Sequence, residues 1–181
     1  MAKLEAEVGR LIREYQAETG TWLTIGTVES ATGGRMADRI TNMPGSSDYF
    51  KGSVVAYSNE VKMALLGVKK ATIENYGAVS EQTALEMAQG GRRVLDVDIC
   101  VSDTGIAGPS GATPEKPVGL FYLGLAAEDG SLSQKHVFQG NRGENKRDAA
   151  EAALNMLKQY LLRCVEAKGC SARLQPRAAR P

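Results

Sequence analysis

Short apolar runs alternate with amphipathic stretches along this chain, and that alternation restricts the fold more than any other feature. Runs such as "WLTIGTV", "GSVVAYS" and "DVDICVSDT" suit strands, and the segments between them carry apolar residues at helical spacing. Leu4, Val8, Leu11, Ile12 and Tyr15 define an amphipathic helix over residues 3–18, ended by Gly20. Gly33 and Gly34 open a short helix to about Thr41, and "NMPGSS" reads as a turn. Ser58 or Asn59 caps the helix "EVKMALL", which Gly67 ends, and a short helix follows around 71–76. Ser80 caps a helix with Ala84, Met87, Ala88, Gly91 and Leu95 inward. "VGLFYLGLAAE" and "SLSQKHVFQ" pair around "DGS", and a last helix over 143–166 turns Ala150, Ala153, Leu154, Leu157 and Leu161 inward. Strands alternating with helices and then a hairpin predict an α/β fold: a three-layer α/β/α sandwich with a mixed, about five-stranded sheet.

The 181 residues suit one domain, expected over 1–166. No apolar run approaches the roughly 20 residues that span a bilayer, and the charged N-terminal segment lacks a signal-peptide core. A cytoplasmic protein with no membrane partner is the expectation. Net charge is +1, but Lys168, Arg173, Arg177 and Arg180 lie in the last fifteen residues, 167–181, without an acid. Without those four the chain holds 18 basic and 21 acidic residues, a net of −3, which gives no footprint for nucleic acid. The basic segment reads as a disordered, solvated tail. Cys100, Cys164 and Cys170 show neither CxxC nor metal-ligand spacing, so neither a disulfide framework nor a metal site is expected.

In open α/β sheets ligands bind outside the carboxyl ends of parallel strands, and glycine-rich loops at 30–34 and 104–111 fall at such ends. At the first of them, Ser30 can cap the helix, bind a phosphate or act as a nucleophile, near the amides of Thr32, Gly33 and Gly34. A nucleophilic serine needs a base. The lone histidine, His136, falls in the terminal hairpin as an exposed strand residue. Lys62, on the first turn of a helix one turn after Ser58, is the other option, with Tyr57 at the strand end beside it. As a base it must be neutral, through burial and the helix N-terminus; as a bystander it is a solvated helix residue.

"DTG" at 103–105 is also the aspartic-protease triplet, but the helix-rich chain has no second copy of it, and no GxxxxGK[ST] loop is present. The loop with Thr104, Gly105, Gly108, Ser110, Thr113 and Lys116 suits an anionic ligand or is a rigid Gly/Pro connection. Arg142 and Arg147 flank the start of the last helix, where a phosphate or solvent would satisfy them.

Five segments together resemble one family, the C-terminal domain of the competence/damage-inducible protein CinA in its stand-alone form. They are "ESATGG" (29–34), "PGSSDYFKGSVVAYSNEVKMALLGV" (44–68), "YGAVSEQTALEMAQG" (76–90), "TGIAGPSGATPEKPVG" (104–119) and "FQGNRGENKRDAAEAAL" (138–154). The resemblance as a whole covers about residues 4–162 in order. The resemblance implies hydrolysis of the carboxamide of nicotinamide mononucleotide to nicotinate mononucleotide and ammonia, a step in pyridine-nucleotide recycling that uses no cofactor or metal. By position, Ser30 would be the nucleophile, Lys62 its base and Tyr57 an assistant. The amides of Thr32, Gly33 and Gly34 would receive the oxyanion. Thr104, Gly105, Gly108 and Lys116, with Arg142 or Arg147, would hold the ribose phosphate of this nucleotide substrate, and a homo-oligomer is compatible with such a domain. The family more usually reads "ESCTGG" where this chain has Ala31, and "VTGIAGP" or "SGIAGP" where it has "SDTGIAGP". Asp103 is expected to add negative charge beside the phosphate loop. The alternatives are a non-catalytic nucleotide-binding module and a DNA-uptake partner, the latter without a basic patch behind it.

Overall fold

The computed structural model describes residues 3–167. The strands β1 (Ile25–Glu29), β2 (Phe50–Val55), β3 (Ile99–Gly105), β4 (Leu120–Ala127) and β5 (Gly130–Val137) form one sheet in the order β2-β1-β3-β4-β5. β1 is parallel to both β2 and β3, and β3, β4 and β5 are antiparallel in turn, so the sheet is mixed. The helices are α1 (Leu4–Thr19), α2 (Arg35–Thr41), α3 (Asn59–Leu66), α4 (Lys70–Tyr76), α5 (Glu81–Val94) and α6 (Arg142–Glu166). A single 3₁₀ turn, Ser46–Asp48, stands inside the expected "NMPGSS" turn. The basic segment from Lys168 onward, with Cys170, lies outside the described residues.

The three layers follow from the two-residue period of the strands. Ile25, Ile99 and Val101 point to one face and pack with Val8, Leu11 and Ile12 of α1, Met36 and Ile40 of α2 and the inward stripe of α6. Val28 and Cys100 point to the other, against Leu66 of α3 and Met87 of α5. α1 stops where Gly20 takes φ 73°, and α6 starts in a capping box between Asn141 and Glu144. Of the two candidate caps for α3, Ser58 is the one used: its hydroxyl accepts the Val61 N–H at 3.3 Å. α5 packs tightly on its neighbours because Gly91 faces Val28 and Cys100, where a Cβ would lie 2.2 and 2.6 Å from their side chains. Cys100 is core, and burial pushes its thiol up to about 12. Among the described residues no helix is long and apolar enough to cross a membrane.

The register Val28↔Ser102 and Val28↔Val54 brings the carboxyl ends of β1, β2 and β3 together. Glu29 and Asp103 share the face that holds Ile25 and Ile99, whereas Thr104 falls on the opposite one with Cys100.

Candidate active site

The chain leaves β1 at Glu29 and turns sharply through Ser30 to Gly34, with Gly33 and Gly34 at φ 64° and 95°. Left-handed backbone of this kind favours glycine. Two carboxylates, each fully buried, hold the corner from beneath. Glu29 accepts the N–H groups of Gly34 (2.8 Å), Met36 (3.1 Å) and Ala37 (2.9 Å), and so caps the start of α2. Asp103 accepts those of Ser30 (3.0 Å), Ala31 (2.9 Å) and Thr32 (3.2 Å). The Thr32 hydroxyl bridges the two, 2.7 Å from Glu29 Oε2 and in a short contact with Asp103 Oδ1. Burial raises the Asp103 carboxyl to about 6, against the pull of its hydrogen bonds from Thr32 and Ser30.

This differs from the sequence expectation in two ways. The amides of Thr32 and Gly34, expected to receive an oxyanion, are committed to carboxylates of the chain itself. Asp103, expected to load charge onto the phosphate loop, points beneath the Ser30 corner instead. The cause is the strand pleat, which turns residue 103 away from the face used by Thr104.

Lys62 reaches Ser30 from the other side of the sheet. It sits on α3, is 2% exposed, and its Nζ lies 3.1 Å from Ser30 Oγ. The same Nζ donates to the carbonyls of Ala56 (2.9 Å) and Tyr57 (3.2 Å) at the end of β2. Burial pushes the Lys62 pKa down, and the negative charges of Asp103 and Glu60 partly restore it. A neutral amine has two N–H bonds and one lone pair. With both N–H bonds on the two carbonyls, the lone pair faces the Ser30 hydroxyl.

Ser30 and Lys62 open onto a cleft of about 230 Å³, which Tyr57, Asn59, Thr104, Gly105 and Arg142 also line. Ala31, Ala78, Val79 and Ala107 give it an apolar surface. Tyr57 is 62% exposed; its carbonyl serves Lys62, while its hydroxyl accepts from Arg142 Nη2 at 3.1 Å. Arg142 Nη1 donates to the Gly108 carbonyl at 2.7 Å, which ties the long loop to the cleft mouth. The Thr104 hydroxyl donates to Ala78 O (2.7 Å), and Gly105 lies so close to Phe121 that a Cβ would meet its ring at 2.3 Å.

Lys116 and Arg147 do not line the cleft. Lys116 Nζ clasps the carbonyls of Tyr76 (2.6 Å) and Val79 (2.7 Å), and Arg147 is an exposed residue 3.7 Å from Asp148. His136, on the edge strand β5, is half-buried and stacks on Phe138 with centroids 5.5 Å apart, away from the cleft. Residue type and spacing do not point to Glu29, Ala78, Val79 or Asn145 as site residues, and point to Asn59 only as a helix cap. Asn145 is fully buried and joins the Ala107 carbonyl (3.1 Å) to the Gly140 N–H (2.9 Å), which fixes the long loop on α6.

A serine in contact with a buried lysine at the carboxyl end of a parallel strand, over a cleft with an arginine at its mouth, sets the class: an α/β domain whose candidate site pairs a serine with a lysine. Relatives narrow this. The family model of the CinA C-terminal domain matches residues 2–161, and the chain belongs to that family. It is 50% identical over 159 residues to a putative competence-damage inducible protein of Halothermothrix orenii, covering 87% of this chain and 37% of the relative. It is 51% identical over 162 residues to a CinA-like protein of Desulfosudis oleivorans, covering 88% and 37%. The chain thus spans little more than a third of the length of these curated relatives. Among solved structures, the competence/damage inducible protein CihA from Agrobacterium tumefaciens superposes with a TM-score of 0.81 at 36% identity, over 90% of this chain and 97% of that one. The competence damage-inducible protein A from Klebsiella pneumoniae gives 0.81 at 25% identity, over 89% and 98%.

Proposed function

We propose that the chain is a nicotinamide-nucleotide amidase, hydrolysing the carboxamide of nicotinamide mononucleotide to nicotinate mononucleotide and ammonia. The observation that carries the reading is the 3.1 Å contact between Ser30 Oγ and the Nζ of a lysine that is 2% exposed and held by two carbonyls. A solvated surface lysine has no reason to be buried there. A base that must lose its proton does.

Lys62 takes the Ser30 proton as Oγ forms a bond to the carboxamide carbon. The negative charge that develops on the carbonyl oxygen lies close to the Lys62 ammonium just formed. Lys62 then passes that proton to the leaving nitrogen as the C–N bond breaks, and ammonia departs. Water attacks the acyl-enzyme, Lys62 accepts its proton, and Ser30 Oγ regains one on release of the carboxylate. The apolar surface of Ala31, Ala78, Val79 and Ala107 suits an aromatic ring, and Arg142 at the mouth suits a phosphate. Tyr57 holds Arg142 through its hydroxyl and Lys62 through its carbonyl, so its contribution is to brace both.

A second reading has its own observation. The Thr32 and Gly34 amides are committed to carboxylates, so a nucleotide-binding module without turnover would need no oxyanion donors. Incubation with nicotinamide mononucleotide followed by an ammonia assay decides between the two. Release that depends on Ser30 supports the amidase, whereas calorimetric binding with no release above a Ser30→Ala control supports the module.

A further inference from the structure

We propose that Asp103 and Glu29 are positioning residues for Ser30 that hold one proton between them through the Thr32 hydroxyl. The argument is a count of protons. Thr32 Oγ1 contacts Glu29 Oε2 at 2.7 Å and Asp103 Oδ1 at a still shorter separation. A hydroxyl has a single hydrogen to donate, and two ionised carboxylates are acceptors only. One contact is Thr32 donating; the other needs a carboxyl that donates to Thr32 Oγ1. The oxygens concerned keep lone pairs for the amides they also accept.

The surroundings favour the same proton. Both carboxyls are fully buried, and two negative charges this close cannot both be held cheaply away from water. The charged group acting on Asp103 is Lys62 from α3; Lys146 from α6 lies beside Gly33 of the same turn, its Nζ 3.2 Å from where a Cβ at that glycine would stand. Burial drives Asp103 upward, the direction a retained proton requires.

The consequence for Ser30 is mechanical and electrostatic. Six backbone N–H groups, of Ser30, Ala31, Thr32, Gly34, Met36 and Ala37, converge on the pair and fix the turn that carries the hydroxyl. The shared proton keeps the pair at one negative charge, and each further charge near Lys62 would raise its pKa and make it a protonated, useless base.

The catalytic half of this inference rests on the serine–lysine reading; the proton half does not, and the test separates them. Carboxyl carbons of Asp and Glu are isotope-labelled and titrated by NMR from about pH 4 to about pH 8, with Asp103→Asn assigning the Asp103 signal. One carboxyl of the pair is expected to give up its proton only near pH 6, and Thr32→Val, which removes a hydrogen bond that pulls Asp103 down, is expected to raise that titration. Thr32→Val keeps all six amide contacts, so it serves where Asp103→Asn fails to fold. Two carboxyls that both ionise below about pH 5 overturn the proton. Positioning is read from the rate at which a fluorophosphonate phosphonylates Ser30, a reaction that needs no amidase turnover. Thr32→Val and Asp103→Asn are expected to slow it about 100-fold. Unchanged rates in both, or no reaction in the wild-type chain, overturn positioning, while absent ammonia release beside normal phosphonylation counts against the amidase alone.

Discussion

Gly90→Ala tests whether the buried lysine beside Ser30 is placed by helix packing. Gly90 lies on α5 where it crosses the end of α3, and a Cβ there would sit 2.0 Å from Leu66 O, 2.7 Å from Leu66 C and 2.9 Å from Leu66 Cα. All three are backbone atoms, so no rotamer change relieves the overlap. Leu66 O is also held by Arg93 Nη2 at 3.2 Å. With ordinary contact beginning near 3.4 Å, α3 must retreat by about 1.4 Å at this point. Overpacking costs about 1–3 kcal/mol, and an overlap on backbone atoms that cannot rotate away falls in the upper part of that range, about 2–3 kcal/mol; the better helix propensity of alanine returns about 1 kcal/mol, so net destabilisation of roughly 1–2 kcal/mol is expected. Lys62 is one turn before Leu66 on the same face. A shift of this size carries its Nζ from 3.1 Å to beyond hydrogen-bond reach of Ser30, and misplacement by about 1 Å costs about 100-fold in rate. Urea unfolding gives the stability and ammonia release gives kcat. A variant within about 0.5 kcal/mol of the parent refutes the packing argument. A destabilised variant with unaltered kcat refutes the link from α5 to Lys62.

Three further outcomes are expected. Lys62→Ala is expected to lower kcat about 100- to 10,000-fold, and in the wild-type chain the rate is expected to rise with pH through the depressed pKa of Lys62, because only the neutral amine accepts the Ser30 proton; a flat profile from about pH 6 to about pH 10 would count against it. The Asp103 carboxyl, at about 6 against 3.8 in the free chain, binds its proton more tightly when folded. Its contribution is therefore complete below about pH 4 and is lost as pH rises through about 6, on the order of 3 kcal/mol. Asp103→Asn cannot titrate, so urea unfolding is expected to show the variant gaining on the wild type between those limits. Arg142→Ala is expected to raise KM about 10- to 100-fold for nicotinamide mononucleotide and hardly at all for the phosphate-free riboside; equal effects on both would remove Arg142 from phosphate recognition.

The layers of the fold were legible because each rests on a local period. Val8, Leu11 and Ile12 on α1, Ala150, Ala153, Leu154, Leu157 and Leu161 on α6, and the caps at Gly20 and Ser80 lie buried or in place where spacing and residue type put them. The segment at 46–48 was less legible: a turn rich in Gly, Pro and Ser is compatible with many backbones, and only packing beneath Tyr49 selects a 3₁₀ turn. Ser30 and Lys62 could be picked out as types at strand and helix ends, but their separation depends on α3 crossing the end of β1. Lys116 and Arg147 show the reverse: both are cations near a glycine-rich segment, and the first is taken up by carbonyls of the chain while the second faces solvent.

Asp103 marks where sequence reasoning stops, and the reason is register rather than chemistry. Its parity with Ile99 and Val101 could have been counted along β3, and Glu29 has the same parity with Ile25 along β1. Parity places both on one face but says nothing of their distance. That distance comes from the pairing Val28↔Ser102, which makes Glu29 and Asp103 neighbours across two parallel strands. Once they are neighbours, the amides of the Ser30 turn have acceptors, and the turn no longer depends on an incoming anion to satisfy them. A chain with an apolar residue at 103 would leave the Ser30, Ala31 and Thr32 amides free for a substrate oxyanion. This chain commits them to its own carboxylates, so on the amidase reading the charge developed during the reaction would fall to Lys62. Transition-state stabilisation and proton transfer would then be coupled in Lys62. Lys62→Arg should therefore be as damaging as Lys62→Ala in the ammonia assay, because a guanidinium keeps the charge but cannot act as the base. Partial activity in the arginine variant would show that charge alone suffices, and would return the proton to another acceptor.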